Sequence, residues 1–233
     1  MSIILGLGLP LVLAYLLGSF PSAVFFGRLL RGVDPRALGS GNAGATNALR
    51  SLGPVPAALT LVADVAKALA AVYLAPLAGV AALGAVDPAL KPPLGARDVA
   101  ALCAACAILG HVLPVFSGFR GGKGVAVAAA ALGALHPWAV PCCLLAFGLA
   151  LSLTGFASLA SIAAALCFPV AAFLTGSIAQ GMLPGILALA APLAIVITHR
   201  SNIRRLFEGS ERRFPRAMIW KRGLDRLRPH PSK

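Results

Sequence analysis

"GSGNAGATNALR", residues 39–50, begins as G-x-G-x-x-G, and an acid, Asp64, stands twenty residues beyond Gly44. Both features match the fingerprint of a dinucleotide-binding turn, which has meaning only between a strand and a helix of a βαβ unit. Here the stretch lies between two apolar segments, 2–26 and 54–80, each long enough to cross a bilayer. The Rossmann reading therefore fails, and the twelve residues read instead as a polar loop between membrane helices.

The rest of the chain agrees. Its 233 residues are 59% hydrophobic and 12% charged, with a mean hydropathy of +0.89. A soluble domain is about 45–50% apolar. A spanning helix needs roughly 20 apolar residues, which yields about seven spans: 2–26, 54–80, 98–116, 122–136, 137–153, 157–175 and 183–199. Only "GALHPWAVP" separates the fourth from the fifth. The expected fold is an all-α polytopic membrane domain over 1–233, with 200–233 as a basic tail. The first apolar stretch lacks preceding basic residues and is followed by further spans, so it reads as retained rather than as a cleaved signal.

Charge sets the orientation. Lys and Arg number four in 27–53, one in 117–121 and eleven in 200–233, with Lys123 at the mouth of the fourth span, against two in 81–97. The positive-inside rule then puts the C-terminus in the cytoplasm and, with seven spans, the N-terminus outside. Much of the net +13 is thereby explained. The tail suits anionic headgroups, with Ile219 and Trp220 as interfacial anchors. Nucleic acid is not an expected partner, because basic and aromatic residues are not interleaved and no binding motif occurs.

Cys103, Cys106, Cys142, Cys143 and Cys167 all fall inside spans without metal-ligand companions, so they read as packing residues, and no metal or cofactor is expected. No internal repeat is evident, which counts against inverted-repeat transporters.

Every motif-like loop emerges on the cytoplasmic side of this topology. In 39–50, glycines allow backbone N–H groups to converge on an anion, Ser40, Asn42, Thr46 and Asn47 add neutral donors, and Arg50 supplies a planar fork suited to phosphate. The alternative is a flexible connector capped by Thr46 or Asn47. "GFRGGKG", 118–124, repeats this chemistry around Arg120 and Lys123 and opens a helix, whose N-terminus favours anions. It is not a nucleotide-hydrolysing P-loop: Ser117 replaces the first glycine, and Gly124 replaces the magnesium-binding hydroxyl. Its alternative is a pair of cations snorkelling at a helix end. Within the spans, Asp64 and Lys67 lie one helical turn apart, either neutralising each other or supporting a site. His111 and His199 face the same surface as the two loops, whereas His136 reads as an interfacial residue on the opposite side.

With these residues in hand, the chain resembles the bacterial membrane glycerol-3-phosphate acyltransferase family that uses acyl phosphate. "GSGNAGATNALR", "GHVLPVFSGFRGGKGVA" (110–126) and "HRSNIRRLFEGSER" (199–212) follow its three motifs in order, and "DVAKA" (64–68) stands near its D-x-x-K-G. Ala68 departs from the usual glycine, and Ser117-Gly118 is less bulky than is common there. The resemblance implies seven helices, an outside N-terminus, a bacterial inner-membrane location, and acyl transfer to glycerol 3-phosphate giving lysophosphatidic acid and phosphate. It implies a soluble phosphate acyltransferase that supplies the donor. It also assigns Ser40, Asn42 and Thr46 to the acyl-phosphate head, and Arg50, Lys123, His199 and Asn202 to glycerol 3-phosphate and the reacting centre. Gly41, Asn47, His111, Gly121, Gly122 and Gly124 are expected to contact or shape the substrates, with Asp64, Lys67 and Glu211 as structural partners. None of His111, His136, His199 and His230 is followed five residues on by Asp, so the H-x-x-x-x-D of acyl-CoA enzymes is absent. The rival class is a membrane transporter of a phosphorylated metabolite.

Overall fold

The structure, a computed structural model, describes residues 3–214, 217 and 218. It is helical, with no strand among the described residues. The first apolar stretch is broken in two. A π-turn over Ile4–Gly8 leads into α1 (Leu9–Ser19), which stops at Phe20-Pro21, because proline lacks the N–H that would continue the ladder. The second piece, α2 (Ser22–Arg31), is amphipathic and ends on its arginines. A loop then leads to the short α3 (Ala45–Ser51), and Gly53 turns the chain into α4 (Pro54–Val86).

α4, at 33 residues, is about 50 Å long and outruns its expected end at residue 80. α5 (Ala96–Val112), α7 (Val140–Thr154), α8 (Ala157–Leu174) and α9 (Met182–Thr198) follow the expected spans closely. The fourth span is the exception. α6 (Val125–Leu135) has 11 residues, about 16 Å against a hydrocarbon core of about 30 Å. The glycine loop delays its start and His136-Pro137 ends it. Among the described residues, five helical segments are long and apolar enough to cross a membrane, with Ile4–Arg31 counting as one, or six if α9 and α10 (Arg200–Phe207), bent by 54° at His199, form one span.

Small residues hold the bundle together. The core joins Ala71 and Val72 of α4, Ala104 and Ala107 of α5, Ala128 and Ala131 of α6 and Ala188 of α9. At the crossing of α1 and α5, a Cβ on Gly18 would overlap the Ala107 carbonyl, and one on Gly110 the Tyr15 carbonyl, so the two backbones touch. Without a hydrophobic drive between helices in lipid, such close approach supplies the dispersion that associates them. α7 buries none of its residues fully, and its apolar side chains remain for lipid.

Two expectations change. His136 is fully buried rather than interfacial: its Nε2 lies 3.2 Å from the Pro184 carbonyl, and its ring meets Phe168 edge-on. The start of the basic tail packs on protein, because Phe214 N–H donates to Gly155 O at 2.7 Å and Met218 is buried against that α7–α8 turn. The anchors Ile219 and Trp220 lie outside the described residues.

Candidate functional site

Three loops meet at one end of the bundle. In the first, Asp34 caps the short turn Pro35–Ala37 and holds the Arg36 guanidinium at 2.8 Å, which keeps the carboxyl below the usual carboxylate range. Arg36 then donates to Ser117 O at 2.9 Å and Arg120 O at 3.4 Å, fastening the first loop to the second. Asn47 staples the first loop to itself. Its Oδ1 accepts from Ser40 N–H (2.9 Å) and Ser40 Oγ (3.1 Å), while Nδ2 donates to Pro35 O and Leu38 O. With its amide fully engaged and 1% exposure, Asn47 shapes the loop rather than presenting a free group. Gly39 must be glycine, since its φ is +62° and a Cβ would overlap Asn47 Oδ1. Ser40, Gly41 and Thr46 are exposed, and Asn42 is half-buried. Among the described residues, no hydrogen bond joins the Asn42 amide or the Thr46 hydroxyl to protein, so both are open to a ligand.

The second loop lies on His111. Gly122 N–H donates to His111 O at 3.1 Å, and a Cβ on Gly121 or Gly122 would overlap that carbonyl or the imidazole Nε2. Gly122 also comes close to Ala43 O of the first loop, and Gly124, at φ +82°, starts α6. Thr198 Oγ1 ties Lys123 O to the end of α9.

The third loop begins at the bend. His199 is buried, with Nδ1 2.7 Å from Ile195 O. A carbonyl only accepts, so Nδ1 carries the proton and Nε2 keeps the lone pair. Asn202 accepts from Lys123 Nζ and donates to Glu211 Oε1 at 2.7 Å. Glu211 also accepts from Ser158 Oγ (2.8 Å) and Arg205 Nε (2.7 Å). Burial alone would raise its carboxyl, yet these donors and the Arg205 charge hold it below the usual range. Arg50 lies 4.2 Å over the Phe214 ring and donates to Arg212 O at 3.0 Å; burial lowers its pKa, though a guanidinium stays charged. Burial likewise lowers Lys123 to about 8, with Glu211 opposing and Arg205 and Arg50 adding to the fall.

Beneath the loops, Asp64 and Lys67 of α4 form a buried ion pair at 2.8 Å, beside His111. Arg36, Arg205 and Ser158 were not among the expected site residues. Arg36 was legible in principle, two residues after a turn-capping Asp34. Ser158 was not, being one small residue in an apolar span.

Apolar helices that gather cations, amides and an imidazole at one end define an integral membrane protein with a polar cluster where its loops meet. The family described as glycerol-3-phosphate acyltransferase matches residues 8–209. The glycerol-3-phosphate acyltransferase of Pseudomonas syringae pv. tomato is 43% identical over 202 residues, covering 86% of this chain and 94% of that one. That of Clostridioides difficile is 37% identical, covering 87% and 92%. Crystal structures of PlsY (YgiH), an integral membrane glycerol 3-phosphate acyltransferase, are similar in its glycerol 3-phosphate form (TM-score 0.71, 32% identity, covering 94% and 98%) and its lysophosphatidic acid form (0.72, 31%, 88% and 93%). The chain belongs to the glycerol-3-phosphate acyltransferase family.

Proposed function

We propose that the chain moves a fatty acyl group from an acyl phosphate to the first hydroxyl of sn-glycerol 3-phosphate, giving lysophosphatidic acid and inorganic phosphate. The observation that carries this is the meeting of Lys123, Asn202 and Glu211 in one hydrogen-bonded chain, with Arg50 and His199 in electrostatic range of it. The family's name and the two ligand forms of PlsY support the acceptor and product.

An acyl phosphate is already activated, so the protein chiefly positions two phosphorylated molecules and stabilises developing charge. Ser40, Asn42 and Thr46 hold the donor's phosphate, while Gly41, whose N–H is given to Leu38 O and whose φ is +72°, shapes their loop. Arg50, Lys123, His199 and Asn202 hold the acceptor, with Gly121, Gly122 and Gly124 giving the chain close approach. The hydroxyl oxygen bonds the acyl carbon as the carbon–oxygen bond to phosphate breaks. Glu211 already accepts from three donors and is poorly suited as the base. The proton passes to a substrate phosphate, whose second ionisation lies near pH 6. The site faces the cytoplasm of the bacterial inner membrane, the N-terminus lies outside, and a soluble phosphate acyltransferase supplies the donor.

A transporter would hold its site near the midplane between discontinuous helices. The open donors here cluster at one end instead. Purified protein in detergent, without compartments, separates the two: phosphate release from acyl phosphate should require glycerol 3-phosphate. Equal turnover of acyl-CoA would refute the donor assignment, and no turnover with any donor would refute the enzyme.

A further inference from the structure

Asp64, Lys67 and His111 are 2%, 7% and 7% exposed, inside an apolar bundle. A mere neutralising pair needs no third member, yet the imidazole is drawn in. Lys67 Nζ has three protons, and three acceptors surround it: Asp64 Oδ1 at 2.8 Å, Phe20 O at 2.8 Å and His111 Nδ1 at 3.0 Å. Ser22 Oγ donates to the same oxygen, Asp64 Oδ1, at 2.9 Å and so helps to fix the carboxylate. Asp64 Oδ1 is farther from His111 Nδ1, at 3.5 Å, so the ammonium is the nearer partner of that nitrogen. An ammonium only donates, and Nδ1 must then accept. The ring proton is left on Nε2.

Nε2 lies against Gly122, where a Cβ would overlap it. A space of about 10 Å³ opens there, bounded by Lys67 and His111 below, Ala43 of the first loop, and Ser117, Gly121 and Gly122 of the second. That is about the size of one oxygen-bearing group. No hydrogen bond joins Nε2 to another of the described residues.

We infer that Asp64 and Lys67 are positioning residues that lock His111 as its Nε2–H tautomer, so that this buried N–H donates to an anionic oxygen of the acyl phosphate entering between the two loops. The break at Phe20-Pro21 takes part, since it exposes the Phe20 carbonyl that fixes Lys67. This rests on the acyl-phosphate reading for the identity of the oxygen, though not for the tautomer.

The test has two arms. In full-length protein, ¹⁵N NMR of the imidazoles, with His111 assigned by its loss in His111→Gln, should show a neutral ring protonated on Nε2. An Nδ1–H tautomer or an imidazolium would overturn the inference, and the only variant this arm needs folded is His111→Gln. In the second arm, Asp64→Asn/Lys67→Met, which removes both charges together, is compared in two backgrounds. With His111 present, kcat should fall at least about tenfold with KM for glycerol 3-phosphate little changed. In the His111→Gln background the amide N–H has no tautomer to fix, and the same pair should cost less than about threefold. Equal losses in both backgrounds would mean a purely structural pair and would also overturn it. If wild-type protein fails to use acyl phosphate, the donor reading falls while the NMR arm still decides the tautomer.

Discussion

Lys123 is a cation that burial discourages and a phosphate would welcome. With its pKa lowered to about 8, it carries charge below that pH and loses it as the pH rises through 8 in the unliganded protein. Binding of glycerol 3-phosphate should therefore weaken from about pH 8 upward, approaching tenfold per unit, with proton uptake on binding in that window. Calorimetric titration in buffers of different ionisation enthalpy checks this, and an affinity flat from pH 7 to 9.5 would exclude Lys123 as the phosphate cation. Ser40→Ala, Arg50→Ala and Lys123→Ala should each lower turnover by about 10²-fold or more while the protein still inserts, because they remove oxyanion donors and leave the spans intact. Arg50→Lys should also be poor, since an ammonium cannot reproduce a planar fork that stacks on Phe214. Near-wild-type turnover in all three alanine variants would defeat the assignment of these loops.

At the scale of elements, Glu211 joins α8 through Ser158 and α10 through Asn202 and Arg205, and Asn202 passes the link to Lys123 at the mouth of α6. The 54° bend at His199 is what brings α10 back across these ends. Glu211→Ala removes three accepted hydrogen bonds and leaves Asn202 and Arg205 without their acceptor. Losing charge-assisted bonds of this kind costs about 1.5–3 kcal/mol each before relaxation. We expect a clearly lowered thermal midpoint in detergent together with reduced activity, and Glu211→Gln to recover part of the former. An Ala variant as stable as wild type would show that the network does not hold the third loop. Arg36 plays the same part between the first two loops, and it does so from outside every motif.

For the molecule as a whole, direct contact between the first two loops would let both proposed substrates bind at once, which suits transfer in one step. Initial-rate plots should intersect, with no burst of phosphate before the acceptor is added. Parallel plots, or an acyl adduct trapped on Ser40, would establish an acyl-enzyme instead. The five cysteines are dispersed through α5, α7 and α8, away from these loops. A variant with all five changed to Ala should retain most of its activity in the same assay.

Hydropathy and charge alone determined the membrane class, most helix boundaries and the three polar loops, because a bilayer demands long apolar helices and each span reports its own composition. The shortness of α6 escaped that reading, since 125–135 is continuously apolar and only packing shows Gly121 and Gly122 turned against His111 ahead of it. Motif residues such as Arg50, Lys123 and His199 were legible as chemistry, but not as neighbours. Three facts belonged to the tertiary structure: Asn47 spends its amide on its own loop, His136 is buried, and Ser158 and Arg205 complete the surroundings of Glu211. The burial of His136 and the place of Ser158 depend on contacts between segments about fifty residues apart, and the role of Asn47 on hydrogen bonds within its own loop. Sequence fixes which groups a helix end carries, whereas only the packed bundle decides which partner each buried group finds.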